Sequence, residues 1–511
     1  MQSVKKEMFC DLAVVGGGVG GCAAAICAAR RGLHVILIEK GVSLGGLATN
    51  GYVPQIAGGI EGLSLEFAQR LEQVGQLERT NPHDDYYRNP TFEPEYGKFV
   101  LENMVMQAGA RILYDATCID VEMDGKNIKK AFFHTKGGVM SVSAKMFIDS
   151  TGDADLSVMA GVPYEVGGAD FAGLNMSTTL GSRWANANLV KYAEAEAAYK
   201  AEQLAKGVKD PRPLVYDLEE QWIQEGKLVR HVCNPWSGFF RIRLPHTTAD
   251  NADFVTFSFH SYFCRNTDVE DISRQVIEQH QLMQGFHKFL KECVPGFENV
   301  RFIGVGSLPG VRDSRRIFGE YMLKAADVAC GTKFEDGIAR FPEMLDTHHP
   351  TNSKLVFQRH IHMKNPTGSA VKLQKGCPAE MHPFGEPEGM EVRPDPRDYC
   401  DIPYRSLLPI GVDNLLAVGR CCSAEFHANG AMRIIAPAMG TGQAAAVAAD
   451  MSIRDNVRPR DLDGRNVRKV LMDEEGIPLD KPCDGYWAKL RNTEGDFVVN
   501  SGDFIVIVPK K

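Results

Sequence analysis

A chain of 511 residues is long enough to bury two or three cores or one large multilayer body. Its composition, 44% hydrophobic and 24% charged, is ordinary for a soluble globular protein, and no apolar run approaches the roughly 18 residues of a membrane span. The formal net charge of −8, without any block of basic residues, argues against nucleic acid or an anionic membrane as the main partner.

The opening "MQSVKKEMFCDLAVV" carries lysines but too short an apolar run for a secretory signal. Thirteen cysteines occur without a single C-x-x-C, so neither a zinc site nor an iron–sulfur site is expected. Free thiols in a reducing cytoplasm are the plain expectation. Residues Leu12 to Val15 then read as a buried strand. Gly16, Gly18 and Gly21 form G-x-G-x-x-G around Val19 and Gly20, a small-residue helix follows from Cys22 to Arg30, and Gly32 ends it. A second strand, His34 to Ile38, closes on Glu39 and Lys40. Each part suits dinucleotide binding. The glycines permit a tight turn and close backbone approach to a pyrophosphate. The helix N-terminus offers free N–H groups, and Glu39 can accept hydrogen bonds from a ribose.

Downstream, "GVSLGGLATNGYV" brings Gly45, Gly46, Thr49, Asn50 and Gly51 just after that acid. A region of alternating residues, 110–143, reads as a small sheet, and "AKMFIDSTGDADLS" runs an apolar strand into Asp149-Ser150-Thr151-Gly152-Asp153. Together these resemble the signatures of the glutathione-reductase-like FAD superfamily. The resemblance implies FAD as cofactor, with Gly45, Gly46 and Thr49 along the pyrophosphate and the chain near Ile119 passing the adenine. It further implies that Thr151, Gly152 and Asp153 bind the cofactor, the glycine letting the chain pass it and the acid facing the ribityl–phosphate region.

The central stretch carries "MSTTLGSRW", a solvated helix in "NLVKYAEAEAAYKAEQLAKG", a strand in "FVTFSFHSYF" and a long helix in "VEDISRQVIEQHQLMQGFHKFLKECV". In "GVGSLPGVRDSRR", Arg312, Arg315 and Arg316 are too crowded all to face one small ligand; one is expected to anchor an anionic or polar substrate and the others to brace the fold. Pro309 and misplaced glycines rule out a second dinucleotide fingerprint there, so electrons must enter or leave through an external donor or acceptor. In "DTHHP", Asp346 and His348 share one face if extended. His348 is then either an acid or base near neutral pH or a hydrogen-bonded structural residue. His349, His360, His362 and His382 lack metal-ligand spacing, and no metal is expected.

Further on, Tyr404 and Arg405 are candidates for a pocket wall or for packing a crossover. Cys421 and Cys422 read as buried thiols. Gly419 and Arg420 precede them, and Glu425, Phe426 and His427 follow, with His427 a candidate to reach the substrate. Arg433 contacts substrate or the flavin edge, or else pairs with a structural carboxylate. A helix beginning near Gly440, Thr441, Gly442 and Gln443 is expected to aim its N–H groups at the flavin pyrimidine edge.

The segments 92–113, 294–323, 401–424 and 430–449 extend the likeness to one subfamily, the FAD-dependent oxidoreductases, over roughly residues 8 to 475. The family usually carries a histidine–glutamate pair where this chain has Glu425, Phe426 and His427. The implied fold is α/β: a Rossmann-like FAD-binding domain of the glutathione-reductase type (8–165, returning at 400–455), an inserted α+β substrate domain (166–399) and a tail (456–511). That tail, with "GDFVVNSGDFIVIVPKK", reads as a hairpin and as a possible meeting point for a homo-oligomer. The implied function is hydride exchange between flavin N5 and a small polar or anionic metabolite, by dehydrogenating C–OH or C–N or by reducing an activated alkene. A flavoprotein that modifies nucleic acid and a non-redox FAD-binding sensor or assembly protein are the rival readings.

Overall fold

The computed structural model describes residues 4–79, 89–209, 211–228, 242–245, 247–330, 332–342, 345–351, 356–359, 399–481, 497–500 and 505–508. The chain opens on a parallel unit, β1 (Val4–Val15), α1 (Val19–Arg30) and β2 (Val35–Ile38). All four residues of β2 and the last four of β1 are buried, the continuous apolar pattern of strands covered on both faces. Helix α2 (Gly62–Gln73), the short pair β3 (Leu77–Glu78) and β4 (Thr91–Phe92), and α3 (Pro94–Ala108) lead to β5 (Arg111–Leu113), parallel to β2. A meander follows: β6 (Thr117–Asp124), β7 (Asn127–Thr135) and β8 (Gly138–Asp149). The sheet order is β5-β2-β1-β8-β7-β6. Strand β8 serves two roles: its first residues pair with β7, while its last run beside the end of β1, Ile148 opposite Val14.

The middle of the chain builds a second layer. After α4 (Asp155–Met159) and β9 (Tyr164–Val166) come β10 (Thr178–Ala187), α5 (Leu189–Ala205), α6 (Leu214–Gln224), β11 (Ile242–Arg243), β12 (Ala252–Ser261), α7 (Val269–Cys293) and β13 (Arg301–Val305). The strands form an antiparallel sheet, β11-β12-β10-β13. Asp268 caps α7 by accepting the N–H groups of Glu270 and Asp271. The buried face of α7 (Met283, Phe286, Phe289, Leu290) packs with Trp184, Phe254 and Phe259 of the sheet into a separate aromatic core. The two layers meet backbone to backbone: a Cβ on Gly181 would stand 2.3 Å from the Gly51 carbonyl oxygen.

Strand β14 (Arg315–Ile317) pairs with β9. Beyond α8 (Ala325–Cys330), β15 (Gly337–Phe341) is antiparallel to β18 (Cys400–Pro403), and β16 (Leu345–His348) to β17 (Val356–Arg359). The chain then re-enters the first sheet through β19 (Leu415–Ala417), parallel to the end of β8. Helices α9 (Asn429–Met432), α10 (Ile435–Asp455) and α11 (Gly464–Asp473) follow. Helix α10 starts at Ile435, five residues before the expected Gly440, so Gly440 to Gln443 lie inside it. Pro437 is tolerated because the first helical turn has no N–H partner to lose. At the far end, β20 (Phe497–Asn500) pairs antiparallel with β21 (Ile505–Val508); the expected turn residues 501–503 lie outside the described residues.

Candidate functional site

The loop between β1 and α1 is shaped by absent side chains. Gly16 has φ of +103°, and a Cβ there would stand 2.3 Å from the Ser150 carbonyl oxygen, so only glycine permits this contact between β1 and β8. Gly18 caps α1 without any side-chain hydrogen bond, leaving the first-turn N–H groups of Val19, Gly20 and Gly21 facing outward at the positive end of the helix dipole. Gly45 lies alongside: its N–H bonds the Gly17 carbonyl at 2.8 Å, and it bridges to Gly18. Gly45 and Gly46 both take positive φ, and a Cβ on Gly46 would reach 3.1 Å from the Gly18 Cα. Two glycine turns thus line one groove with bare backbone.

At one end of that groove, the buried Glu39 carboxylate accepts the N–H groups of Gly17 (2.6 Å) and Gly41 (2.7 Å) on separate oxygens. Each oxygen keeps a lone pair for a ribose hydroxyl. Ile119 is exposed on β6 at a register shift. Toward the other end, Asp149 anchors the turn after β8, taking Thr151 Oγ1 (2.8 Å) and Ser157 Oγ (2.7 Å). Asp153 next accepts Ser314 Oγ (2.6 Å) and Arg420 Nη1 (2.8 Å), while Gly152 takes φ of +77° and a Cβ there would stand 2.7 Å from Arg420 Nη2. Burial alone would raise the Asp153 pKa, but Arg420, Ser314 and the Lys40 charge outweigh it and hold the carboxyl below its usual range. A groove of bare glycine backbone, with an uncapped helix start and carboxylates at both ends, fits a dinucleotide.

Several residues expected at the cofactor have structural partners of their own. Thr49 Oγ1 donates to the Leu44 carbonyl (2.6 Å). Thr441 accepts the Gly419 N–H (3.1 Å), where Gly419 takes φ of +70°. A Cβ on Gly442 would lie 2.0 Å from the Gly20 carbonyl oxygen, so this residue sets the α1–α10 contact. A Cβ on Gly440 would stand 3.1 Å from that of Ala339. Gln443 accepts the Leu63 N–H at the start of α2 and donates to Glu475. Being inside α10, these four cannot present the helix N-terminus to a flavin; Ile434 and Ile435 stand at that end.

A second cluster forms where α9 hands over to α10. Strand β16 lies against α9 because Gly430 has no side chain: its Cβ would come within 2.9 Å of Asp346 backbone. Arg433 Nη2 donates to the Asp346 carboxylate and to its backbone carbonyl, each at 2.6 Å. Asp346 Oδ1 in turn stands 3.2 Å from His348 Nε2, since residues two apart share a face in an extended strand. Burial raises the Asp346 carboxyl, but Arg433 and His348 outweigh it and hold the pKa well below the usual range. For His348 burial wins: with Arg312 adding to it, the pKa is pushed down to about 4 despite Asp346. A neutral ring donates Nε2–H to Asp346, a tautomer assigned from that hydrogen bond, and keeps Nδ1 as proton acceptor.

The three clustered arginines separate as expected of a crowded set. Arg315 bonds the Asp153 carbonyl (2.6 Å) and pairs with Asp155. Arg316 is wholly buried and ties Glu165, Gly167 and the Ala424 carbonyl together. Only Arg312 turns toward Arg433 and Asp346, with Nη1 on the Ser177 carbonyl at 2.6 Å. Burial and the Arg433 charge lower its pKa to about 10. Tyr404 and Arg405 do not line this cluster. The Tyr404 hydroxyl bonds the Pro459 carbonyl (2.8 Å) in the core, and Arg405 forks onto Asp336 over the Tyr321 ring. His427 packs against Phe171 and Phe426, and burial lowers its pKa to about 4.

Two participants, Asn429 and His260, escape the sequence reading. Asn429 is fully buried, one helical turn before Arg433, and both polar atoms of its amide lack a hydrogen-bond partner among the described residues. Arg433 Nε is buried without a partner as well. His260, 6% exposed, meets Ser177 Oγ at 3.0 Å and stands with its ring 5.3 Å from that of His348. Only the spacing of Asn429 and Arg433 in "NGAMR" hinted at a shared face. Cys421 and Cys422 are free and buried, and burial raises both thiol pKa values. Among the described residues no group of three or more His, Cys, Asp and Glu side chains could hold a metal ion; His360, His362 and His382 lie outside them. No helix among the described residues is long and apolar enough to cross a membrane.

Among solved structures, a geranylgeranyl bacteriochlorophyll reductase-like protein from Thermoplasma acidophilum is 14% identical over 92% of this chain and 84% of its own, with a TM-score of 0.39. The p-nitrophenol 4-monooxygenase of Pseudomonas putida is 9% identical over 92% of this chain and 86% of its own, with a TM-score of 0.42. No curated protein matches the sequence. The family profile described as FAD dependent oxidoreductase matches residues 11–471, from the first glycine turn through the return strand to α11, and the chain belongs to that family.

Proposed function

We propose that the protein oxidises a small carboxylate-bearing metabolite, removing hydrogen from a carbon that carries a hydroxyl or amino group. FAD would be held through Glu39, the α1 N-terminus, Gly45 and Gly46, and the Asp153–Arg420 pair, with its reactive end toward α9 and the start of α10. Bound there, FAD supplies two-electron oxidation by accepting a hydride from the substrate C–H. The observation that carries the reading is a buried excess of positive charge among the described residues. Arg312 and Arg433 face one carboxylate, Asp346, beside a His348 that is neutral at pH 7. An unpaired buried cation is costly, and a substrate carboxylate meeting Arg312 and Arg433 Nε offsets that cost. The Asn429 amide, unpartnered on the same helical face, is placed to hold a further polar group of the substrate.

His348 is neutral at pH 7, so its Nδ1 is available for the proton that leaves a hydroxyl or ammonium as the C–H bond breaks; burial and Arg312 weaken it as a base, and a substrate carboxylate on Arg312 offsets the second of these. Asp346 fixes the tautomer, and Arg433 fixes Asp346. The test is anaerobic mixing of the FAD-loaded protein with 2-hydroxy acids, 2-amino acids and the matching neutral alcohols and amines. The acids are expected to bleach the oxidised flavin band, and Arg433→Gln to weaken their binding about 30-fold, the scale of about 2 kcal/mol for losing one partner of a buried charge pair. Equal bleaching by the neutral compounds, or an unchanged affinity in Arg433→Gln, would sink the reading.

A further inference from the structure

Between β12 and α7 lies a cavity of about 440 Å³, within the size range of small-molecule sites. Leu228, Tyr262, Phe263, Leu282 and Gly285 supply its apolar wall. Its charged rim is already neutralised: Arg274 pairs with Asp271 and Glu278, and Lys227 pairs with Glu225 while lying over Trp222. His260 is part of the same wall, and its ring is 5.3 Å from that of His348. One imidazole therefore separates an apolar chamber from the buried cationic cluster.

Phe263 adds an independent sign. It takes φ of +59°, a left-handed conformation that a bulky aromatic rarely adopts, and its side chain is 60% exposed. The conformation is held by its N–H bond to the Pro350 carbonyl (2.8 Å), two residues beyond His348. The same bond ties the rim of the cavity to the histidine segment. Strain kept at such a point sets the aromatic ring at the mouth of the chamber.

We propose that this cavity binds the apolar portion of an amphipathic substrate whose carboxylate reaches past His260 to Arg312 and Arg433. The proposal rests on the anion-binding reading of that cluster and narrows it to acids bearing a hydrocarbon or aromatic tail. Ionic groups that are already paired leave no free charge for a second polar head, and the apolar wall rewards each methylene removed from water.

Isothermal titration of the FAD-loaded protein with octanoate and with acetate tests it. Octanoate is expected to bind at least tenfold more tightly than acetate. Gln281→Trp, which places bulk into the cavity from an exposed position on α7, should reduce that preference to within threefold. So should Phe263→Gly, which removes the ring where glycine suits the backbone. Arg433→Gln should weaken both acids alike. If both acids bind equally, or if the preference for octanoate survives both cavity variants, the cavity assignment is overturned while the cationic site stands. If neither acid binds, or if Arg433→Gln leaves both affinities unchanged, the anion reading itself fails and this proposal goes with it.

Discussion

The behaviour of individual residues turns on which charges burial leaves balanced. Arg315 and Arg316 are fully engaged by Asp155, Glu165 and backbone carbonyls, so they hold the layers together. Arg312, three residues before Arg315, is also buried yet faces another cation. Sequence could show that three arginines cannot share one ligand. It could not show which one turns inward, because that depends on Ser177 and Asp346 arriving from distant segments. Tyr404 and Arg405 show the reverse error: a polar pair in a return loop suits a pocket wall, yet Pro459 and Asp336 satisfy them elsewhere. His348 gives the sharpest prediction at this scale. If its Nδ1 takes the substrate proton, kcat/KM should fall on the acid side with an apparent pKa near 4, the value that burial and Arg312 impose on the free enzyme. His348→Gln should lower kcat about 100-fold or more and flatten that limb. Stopped-flow flavin reduction from pH 4 to 8 measures it; a variant within threefold of wild type that keeps the acid limb would show His348 to be structural.

Elements follow from local sequence wherever one residue type dictates the geometry. The first βαβ unit was legible because glycine, a small-residue helix and a terminal acid leave few alternatives. The start of α10 was not: "NGAMRIIAPAMGTGQAAA" is mostly small and apolar, and its glycines suggest a helix start near Gly440. The better signal was Pro437, which a helix accepts only in its first turn. Glycines here serve contact instead of ligand. With Gly442 Cβ placed 2.0 Å from the Gly20 carbonyl, Gly442→Ala must push α10 away from α1. The expected cost is about 1–3 kcal/mol of stability by chemical denaturation. Retention of FAD should fall as well, because Gly20 belongs to the turn that opens α1. Gly304→Ala, where no atom lies within 4 Å of the added Cβ, serves as the contact-free comparison, and the higher helix propensity of alanine at 442 works against the expected loss. Equal stability of the two variants would contradict the close-contact role.

For the whole molecule, the discontinuous chain path makes the site a sensor of its own burial. Segments near residues 177, 260, 312, 346 and 433 converge only when both layers are folded, and two histidines, His348 and His427, become neutral on the way. Both have native pKa values of about 4, against 6.5 for an exposed ring. Below pH 6.5 the unfolded chain takes up protons that the native state refuses. The stabilisation is therefore complete above pH 6.5 and is lost progressively as pH falls toward 4, up to about 3 kcal/mol for each histidine. Asp346 and Asp153 act in a lower window: their depressed native pKa values contribute stability that is present above 3.8, the ordinary carboxyl value, and is lost as pH falls below it. The two windows can be separated by thermal unfolding measured from pH 7 to 4 in one buffer system. Wild-type Tm should decline steadily across that range, and His348→Gln/His427→Gln should decline less, even where its Tm at pH 7 is lower. Parallel curves would mean that these rings take up protons alike in the native and unfolded chains, and the depressed native pKa values assigned to His348 and His427 would fall.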